Sequence, residues 1–153
     1  MSLKRECVIF VNYHYPMEII ELIGADVSSV VALWNEVGIT RPWNDAAQDF
    51  QRAIDGAPSV VLGIKHDDEL IGTVMVGHDG HRGWVYYLAV AKRHRRHGVG
   101  SELMRSAEEW LRKFGAVKAQ LMVRGDNESA LTFYDKLGYD VSDVTVLSRW
   151  LEQ

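Results

Sequence analysis

The chain has 153 residues, enough for one domain with a well-buried core. Its net charge of −4 speaks against a protein built to neutralise nucleic-acid phosphates, and 47% hydrophobic with 25% charged residues is ordinary for a soluble globular chain. A single cysteine, Cys7, excludes an intramolecular disulfide. No apolar run approaches the roughly 20 residues that span a bilayer, so no membrane partner is expected. With no secretory signal either, a cytoplasmic location is expected.

No repeat, low-complexity tract or long linker divides the chain. Met1-Ser2-Leu3 resembles a vector-derived leader, and Met17 offers a second plausible start. Residues 1–16 are therefore expected to be an appendage, carrying Val8-Ile9-Phe10-Val11 as a potential edge strand, and residues 17–153 the domain proper. Met17 to Leu22 predicts a first strand. A helix should follow, capped by Asp26, with Val27, Val30, Val31 and Trp34 on its apolar face and Gly38 as its stop. After Arg41-Pro42-Trp43-Asn44-Asp45, a second helix should run from Ala46 to Ile54, capped by Asn44 or Asp45.

Ser59–Lys65 and Leu70–Val76 predict a hairpin closed by His66-Asp67-Asp68-Glu69. After the turn Asp79-Gly80-His81-Arg82-Gly83, the stretch Trp84–Val90 is aromatic and β-branched and predicts a strand. A third helix, from about Val99 to Phe114, should bury Leu103, Ala107, Trp110, Leu111 and Phe114. Val117–Val123 predicts a strand, and Glu128–Leu137 a fourth helix with Ala130, Phe133, Tyr134 and Leu137 inward. Final strands are expected at Tyr139–Val141 and Val144–Leu151, the latter a candidate dimer-interface strand. The class is α/β (α+β), a mixed sheet flanked by about four helices, with Trp84–Val123 forming a right-handed parallel crossover. The tryptophans should be mostly core. Trp43 is the exception, because its loop offers no regular apolar face.

Arg95-Arg96-His97-Gly98-Val99-Gly100 lies between a hydrophobic strand and an amphipathic helix. The first N–H groups of a helix lack internal partners, and the helix dipole there favours negative charge. Glycine lets a phosphate come close to the main chain, and Lys92, Arg93, Arg95 and Arg96 add positive charge. The turn is therefore a site for an anion, most naturally a pyrophosphate. It lacks the Gly-Lys-Ser/Thr of a Walker loop and the Gly-x-Gly-x-x-Gly of dinucleotide folds. Taken alone, the hexapeptide is equally compatible with a solvated surface turn.

Arg95-x-x-Gly98-x-Gly100 resembles the Arg/Gln-x-x-Gly-x-Gly/Ala signature of the GNAT superfamily of N-acetyltransferases. Asn127-x-x-Ala130-x-x-Phe133-Tyr134-x-x-x-Gly138-Tyr139 resembles that superfamily's second block, and the likeness spans about residues 17–151. Arg41–Asp45 and Asp79–Gly83 look like small bacterial YpeA-type acetyltransferases. The resemblance implies a mostly antiparallel sheet with one splayed parallel strand pair, and acetyl-CoA as acetyl donor. It also implies a direct attack by a primary amine, on a small molecule, a peptide or a protein.

By the same resemblance, backbone groups of Leu88, Ala89 and Val90 would hold the pantetheine arm, and the Leu88 N–H would serve as oxyanion donor. Arg95, Arg96, His97, Gly98, Val99, Gly100 and Ser101 would hold the pyrophosphate. Asn127 would contact the cofactor, and Tyr134 would be the general acid toward the departing thiolate. Helix capping for Asn127 and core packing for Tyr134 are the plain alternatives.

One departure stands out. The glutamate bases of the superfamily are missing, Met122 standing at one of their positions and none occurring in Trp84–Val90. His78, Asp79, His81 and Tyr86 are the remaining candidates near the acceptor end. Arg41, Trp43 and Asp45 would shape the acceptor site, unless Asp45 only caps a helix.

The pairs His78/His81 and His94/His97 lie at turns, without cysteine, so no metal is expected. The basic run Lys92–His97 lacks interleaved aromatics, so no nucleic acid is expected either. A non-catalytic acyl-CoA-binding sensor or interaction module remains the alternative reading, motivated by the missing glutamate.

Overall fold

The structure is a computed structural model describing residues 17–151; the expectations for residues 1–16 lie outside these. By its contacts the chain divides into two compact units, the break falling after Gln120. The first unit holds β1 (Glu18–Glu21), α1 (Val27–Glu36), α2 (Ala46–Asp55), β2 (Ser59–His66), β3 (Glu69–His78), β4 (Gly83–Val90) and α3 (Val99–Lys113). β5 (Ala119–Leu121) crosses the break, and α4 (Glu128–Lys136) lies in the second unit.

The sheet order is β1-β2-β3-β4-β5, antiparallel from β1 through β4. The β2–β3 hairpin closes on Asp67 and Asp68, both at positive φ (48° and 62°), the geometry of a two-residue primed turn whose twist suits the strands. The Gly83 N–H donates to the Lys118 carbonyl at 2.9 Å, joining the beginnings of β4 and β5, and strands joined start to start run parallel. This is the mixed sheet with a parallel pair that the sequence predicts.

Neighbouring residues of β3 show how the layers are arranged, since successive strand side chains point to opposite faces. Thr73 meets Trp34 of α1 on one face. A Cβ on Gly72 would come within 2.9 Å of both Leu103 and Val99 of α3 on the other, so glycine here lets helix and sheet approach closely. The core of the first unit is built from Val30, Leu33, Trp34, Phe50, Val61, Ile64, Ile71, Val74, Val76, Leu103, Met104 and Leu111, all buried. Burying each such side chain contributes about 1.5–3 kcal/mol relative to exposure.

Several expectations need correction. Asp26 does not cap α1 with its side chain; the carboxylate turns back to accept from the Ile23 N–H and meets Lys65. α3 turns Met104 and Ser106 inward while Phe114 stays exposed, and only Trp34 of the five tryptophans is fully buried. Trp43 is exposed, as its loop position predicts. On α4 no residue is fully buried; Ala130, Phe133, Tyr134 and Leu137 are half-buried.

Among the described residues, none after α4 forms a strand. Val141, Val144, Val146, Leu147, Trp150 and Leu151 are exposed. A β-branched and apolar composition expresses only a propensity, and a strand exists only where a neighbouring edge accepts its hydrogen bonds.

Candidate functional site

The turn after β4 has the features of an anion site. α3 begins at Val99 with Gly98 as N-cap, and Gly98 sits at φ 80°, a left-handed conformation glycine adopts without steric cost. No side chain caps this end, and the Glu102 N–H is the first to return to the turn, donating to the Gly98 carbonyl at 3.0 Å. The N–H groups of Val99, Gly100 and Ser101 thus precede the internal ladder. A Cβ on Gly98 would meet nothing within 4 Å, which leaves the backbone open to an incoming oxygen. Gly100 lies within α3, with no positive φ.

The positive charge is less evenly spread than the basic run suggests. Arg93 is paired with Glu69, so its charge is spent locally. Arg95, Arg96 and His97 are exposed, and neither arginine has an ion-pair partner among the described residues. Arg96 itself is held at φ 64°. Burial and the Arg93 charge push the His94 pKa below its usual value, consistent with a neutral ring beside the arginines. The Arg95 Nε–H donates to the Val90 carbonyl at 3.4 Å, which leaves the outer nitrogens of that guanidinium, like the Arg96 side chain, without an ion-pair partner among the described residues. These groups fit a diphosphate: three free N–H donors, space at Gly98 and two guanidiniums not held by a carboxylate.

β4 leads into this turn and carries an irregularity the sequence did not disclose. Thr73 faces Ala89 while Met75 faces Tyr86, so Val74 stands opposite two residues, Tyr87 and Leu88. This is a β-bulge, with Tyr87 at φ 50°. Around it lies a network that sequence reasoning missed. Trp34 Nε1–H donates to Thr73 Oγ1 at 2.8 Å, and the Thr73 hydroxyl donates to the Tyr87 carbonyl at 3.1 Å. The Tyr87 ring stacks on Trp34 (centroids 3.9 Å apart, 13° between planes), and its phenol donates to Asp49 Oδ2 at 2.7 Å. Burial, reinforced by that carboxylate, pushes the Tyr87 pKa far up, while the Asn44 side chain, also bonded to the phenol, opposes the shift. The only sequence signal was a second tyrosine in a strand expected to be core.

At the other end of β4, Asp79 is fully engaged. Its Oδ1 accepts from the N–H groups of His81 (2.8 Å) and Arg82 (2.7 Å), and its Oδ2 from Trp84 Nε1 (3.0 Å). These bonds hold its pKa down to about 2, so it is a poor proton acceptor. Its folded-state contribution is fully present above the usual carboxylate range and is lost as the pH falls toward 2. We expect Asp79→Asn, which retains one acceptor oxygen, to leave turnover within about threefold, whereas losing a general base costs about a hundredfold or more. Steady-state rates across the neutral range check this.

Tyr86 is exposed, stacked on Trp84, with a pKa raised by burial first and the Asp79 charge second. His81 is exposed and His78 half-buried at the strand end. Asp45 caps α2 by accepting from the Gln48 N–H at 3.0 Å, and Arg41 donates to the carbonyls of Gly38 and Thr40 within its own loop. Both therefore have local structural work. Among the described residues, no three His, Cys, Asp or Glu side chains gather as metal ligands would, and no helix is long and apolar enough to cross a membrane.

In the second unit, Asn127 caps α4, its Oδ1 accepting from the Ala130 N–H at 3.2 Å and from the Ser129 hydroxyl. Tyr134 is half-buried, edge-on to Phe133 and Tyr139, and desolvation pushes its phenol up to about 12. Met122 is half-exposed just past β5.

Residues 28–139 match the family described as Acetyltransferase (GNAT) family. The chain is 37% identical over 131 residues to the acetyltransferase SG1711 of Sodalis glossinidius (strain morsitans), covering 86% of this chain and 92% of that one. It is likewise 37% identical over 126 residues to the acetyltransferase ECA0875 of Pectobacterium atrosepticum, covering 82% and 89%. Among solved structures it resembles the aminoglycoside acetyltransferase AAC(6')-Iy in complex with a bisubstrate analogue, at a TM-score of 0.77 and 13% identity over 88% of this chain and 98% of that one. AAC(6')-IG of Acinetobacter haemolyticus matches at a TM-score of 0.73 and 20% identity, over 89% and 100%. At these identities the structural likeness concerns the fold.

Proposed function

Because this chain belongs to the GNAT family of acetyltransferases, we propose that it moves the acetyl group of acetyl-CoA to a primary amine by direct attack, without an acetyl-enzyme. The observation that carries this reading is the open helix N-terminus at Gly98, placed directly after a bulged β4. The N–H groups of Val99, Gly100 and Ser101, with Arg95 and Arg96, would hold the diphosphate; His97 lies beside them. Leu88, Ala89 and Val90 would bind the pantetheine arm through their backbone. The Leu88 N–H would donate to the carbonyl oxygen as charge gathers on it. The amine nitrogen forms the new bond to carbon, the carbon–sulfur bond breaks, the nitrogen loses a proton and the sulfur gains one.

Tyr134 is the proposed source of the sulfur's proton, and Asn127 a proposed contact of the donor beyond its capping role. At about 12, the Tyr134 phenol stays protonated throughout the working range, as an acid must. It is nevertheless a weaker acid than an alkyl thiol, whose pKa is about 8.5, so it assists chiefly by hydrogen bonding to the sulfur. No carboxylate base is proposed: Met122 offers only a thioether, and Asp79 is clamped in its turn. We propose that the amine loses its proton to solvent water rather than to a carboxylate. Trp43, Tyr86 and His81, exposed and without a core role, are the proposed acceptor contacts. A compact amine, a peptide or a protein lysine all satisfy this chemistry. The exposed apolar residues of 141–151 support a homodimer formed through that segment.

The test is an amine and peptide screen followed through release of free thiol from acetyl-CoA. With a turned-over acceptor, kcat/KM should climb with pH toward the amine's own pKa, without a limb in the carboxylate range. Tyr134→Phe should lower kcat roughly tenfold to a hundredfold while leaving the acetyl-CoA Kd within about twofold. Tight acetyl-CoA binding with no thiol release on any acceptor would instead identify a non-catalytic acyl-CoA-binding module, and a covalent acetyl-protein would overturn direct attack.

A further inference from the structure

The network behind β4 makes sense once the peptide unit between Tyr87 and Leu88 is considered. That unit contains the Tyr87 carbonyl and the Leu88 N–H, held in one plane and pointing in opposite directions because the peptide is trans. Whatever fixes the carbonyl therefore aims the N–H. The carbonyl is fixed by the Thr73 hydroxyl at 3.1 Å, from the neighbouring strand β3. Thr73 is completely buried, and its hydroxyl oxygen accepts in turn from Trp34 Nε1 at 2.8 Å. The hydroxyl thus bridges the two, accepting from the indole and donating its own hydrogen to the Tyr87 carbonyl.

We propose that Thr73, with Trp34 behind it, is a positioning residue for acetyl transfer: it aims the Leu88 N–H away from β3, where the acetyl carbonyl would lie. This rests on the reading of Leu88 as oxyanion donor and adds to it the device that orients the donor.

Three observations support an active device over a chance core contact. The bulge is the place where the β3–β4 ladder is interrupted, so strand pairing alone does not fix this peptide. Tyr87 is held at φ 50°, a conformation costly for an L residue, and such strain persists only where surroundings over-determine it. Those surroundings are the Thr73 bond to its carbonyl, the Trp34 ring stacked on its side chain, and the Asp49 carboxylate on its phenol. A hydrogen bond into a carbonyl also polarises the whole peptide, which strengthens the opposite N–H as a donor.

The experiment reads the thioester directly, without an acceptor. Acetyl-CoA carrying a 13C label at the carbonyl is bound to the full chain, and the carbonyl stretch is followed by infrared difference spectroscopy. The wild-type protein should lower that frequency relative to free acetyl-CoA. Thr73→Val, near-isosteric but without the hydroxyl, should return it most of the way to the free value. Its calorimetric Kd for acetyl-CoA should stay within about threefold, because the diphosphate turn is untouched. Its kcat should fall between about tenfold and a hundredfold, somewhat less than outright loss of an oxyanion donor. Thr73→Ser should restore both readouts, and the carbonyl frequency at unchanged acetyl-CoA affinity is the signature that a merely structural role would not move.

If Thr73→Val does not fold, Thr73→Cys, with a weak S–H donor, should give an intermediate carbonyl frequency. A wild-type frequency shift that persists in Thr73→Val, or in Thr73→Cys, overturns the positioning role alone. A wild-type protein that binds acetyl-CoA with no frequency shift overturns Leu88 as oxyanion donor, and the positioning role with it.

Discussion

Gly100→Asp should abolish most acetyl-CoA binding while leaving the fold intact. Gly100 is the second residue of α3, where an acidic side chain is favoured by the helix dipole and aspartate is a better helix residue than glycine. The melting temperature should accordingly stay level or rise slightly. The same carboxylate would stand at the helix N-terminus, beside the open N–H groups of Val99, Gly100 and Ser101 that are proposed to hold the diphosphate. It would add like-charge repulsion and bulk against a diphosphate, costing about 3 kcal/mol, or somewhat more than a hundredfold in Kd. Calorimetry with acetyl-CoA measures the loss, and thermal denaturation of the same preparation shows that the fold survives. Unchanged affinity would remove the diphosphate from this turn and with it the main support for the placement of the donor.

Trp34→Ala should be the most destabilising single substitution considered. The indole is completely buried, stacks on Tyr87, meets Phe50 edge-on and donates from Nε1 to Thr73. Truncation to alanine leaves a cavity between α1 and the sheet and costs about 3–5 kcal/mol. That is a large part of the 5–15 kcal/mol by which a domain is usually stable. Trp34→Phe separates the contributions: it keeps an aromatic ring against Tyr87 but removes the donor to Thr73, and should cost about 1–3 kcal/mol. Urea denaturation of the three proteins gives the comparison, and equal midpoints for Trp34→Ala and wild type would refute the role of this ring in the core.

The open helix end after β4, where the diphosphate is proposed to lie, was legible because its signal is local. Arg95, Gly98 and Gly100 stand within one strand–turn–helix passage, and the physics of an open helix end needs nothing beyond that passage. The second block, Asn127 to Tyr139, was legible for the same reason, and its capping asparagine and aromatic face belong to one short helix. Element order followed from periodicity through α4. It failed after Gly138, where Val144–Leu151 is rich in β-branched and apolar residues but forms no strand among the described residues.

The roles of the acidic and aromatic side chains were less legible, because each depends on a partner distant in sequence. Asp79 in a glycine-rich turn could be a base, a ligand or a clamp; three donors, one of them the Trp84 indole, make it a clamp. Asp45 and Arg41 turned out to hold their own loop. Tyr87 was one aromatic among several in β4, and only the structure joins it to Trp34 and Asp49, both nearly 40 positions or more away.

The sequence by itself determined the family, the glycine-bearing helix start after β4 and the lack of a glutamate in Trp84–Val90 or at Met122, since each is written in contiguous residues. The tertiary structure decided how β4 is bent, which carbonyl accepts from Thr73 and which carboxylates are tied up in their own turns. Those properties arise from hydrogen bonds across strands and between sheet and helix, and such bonds have geometry only after the chain has folded.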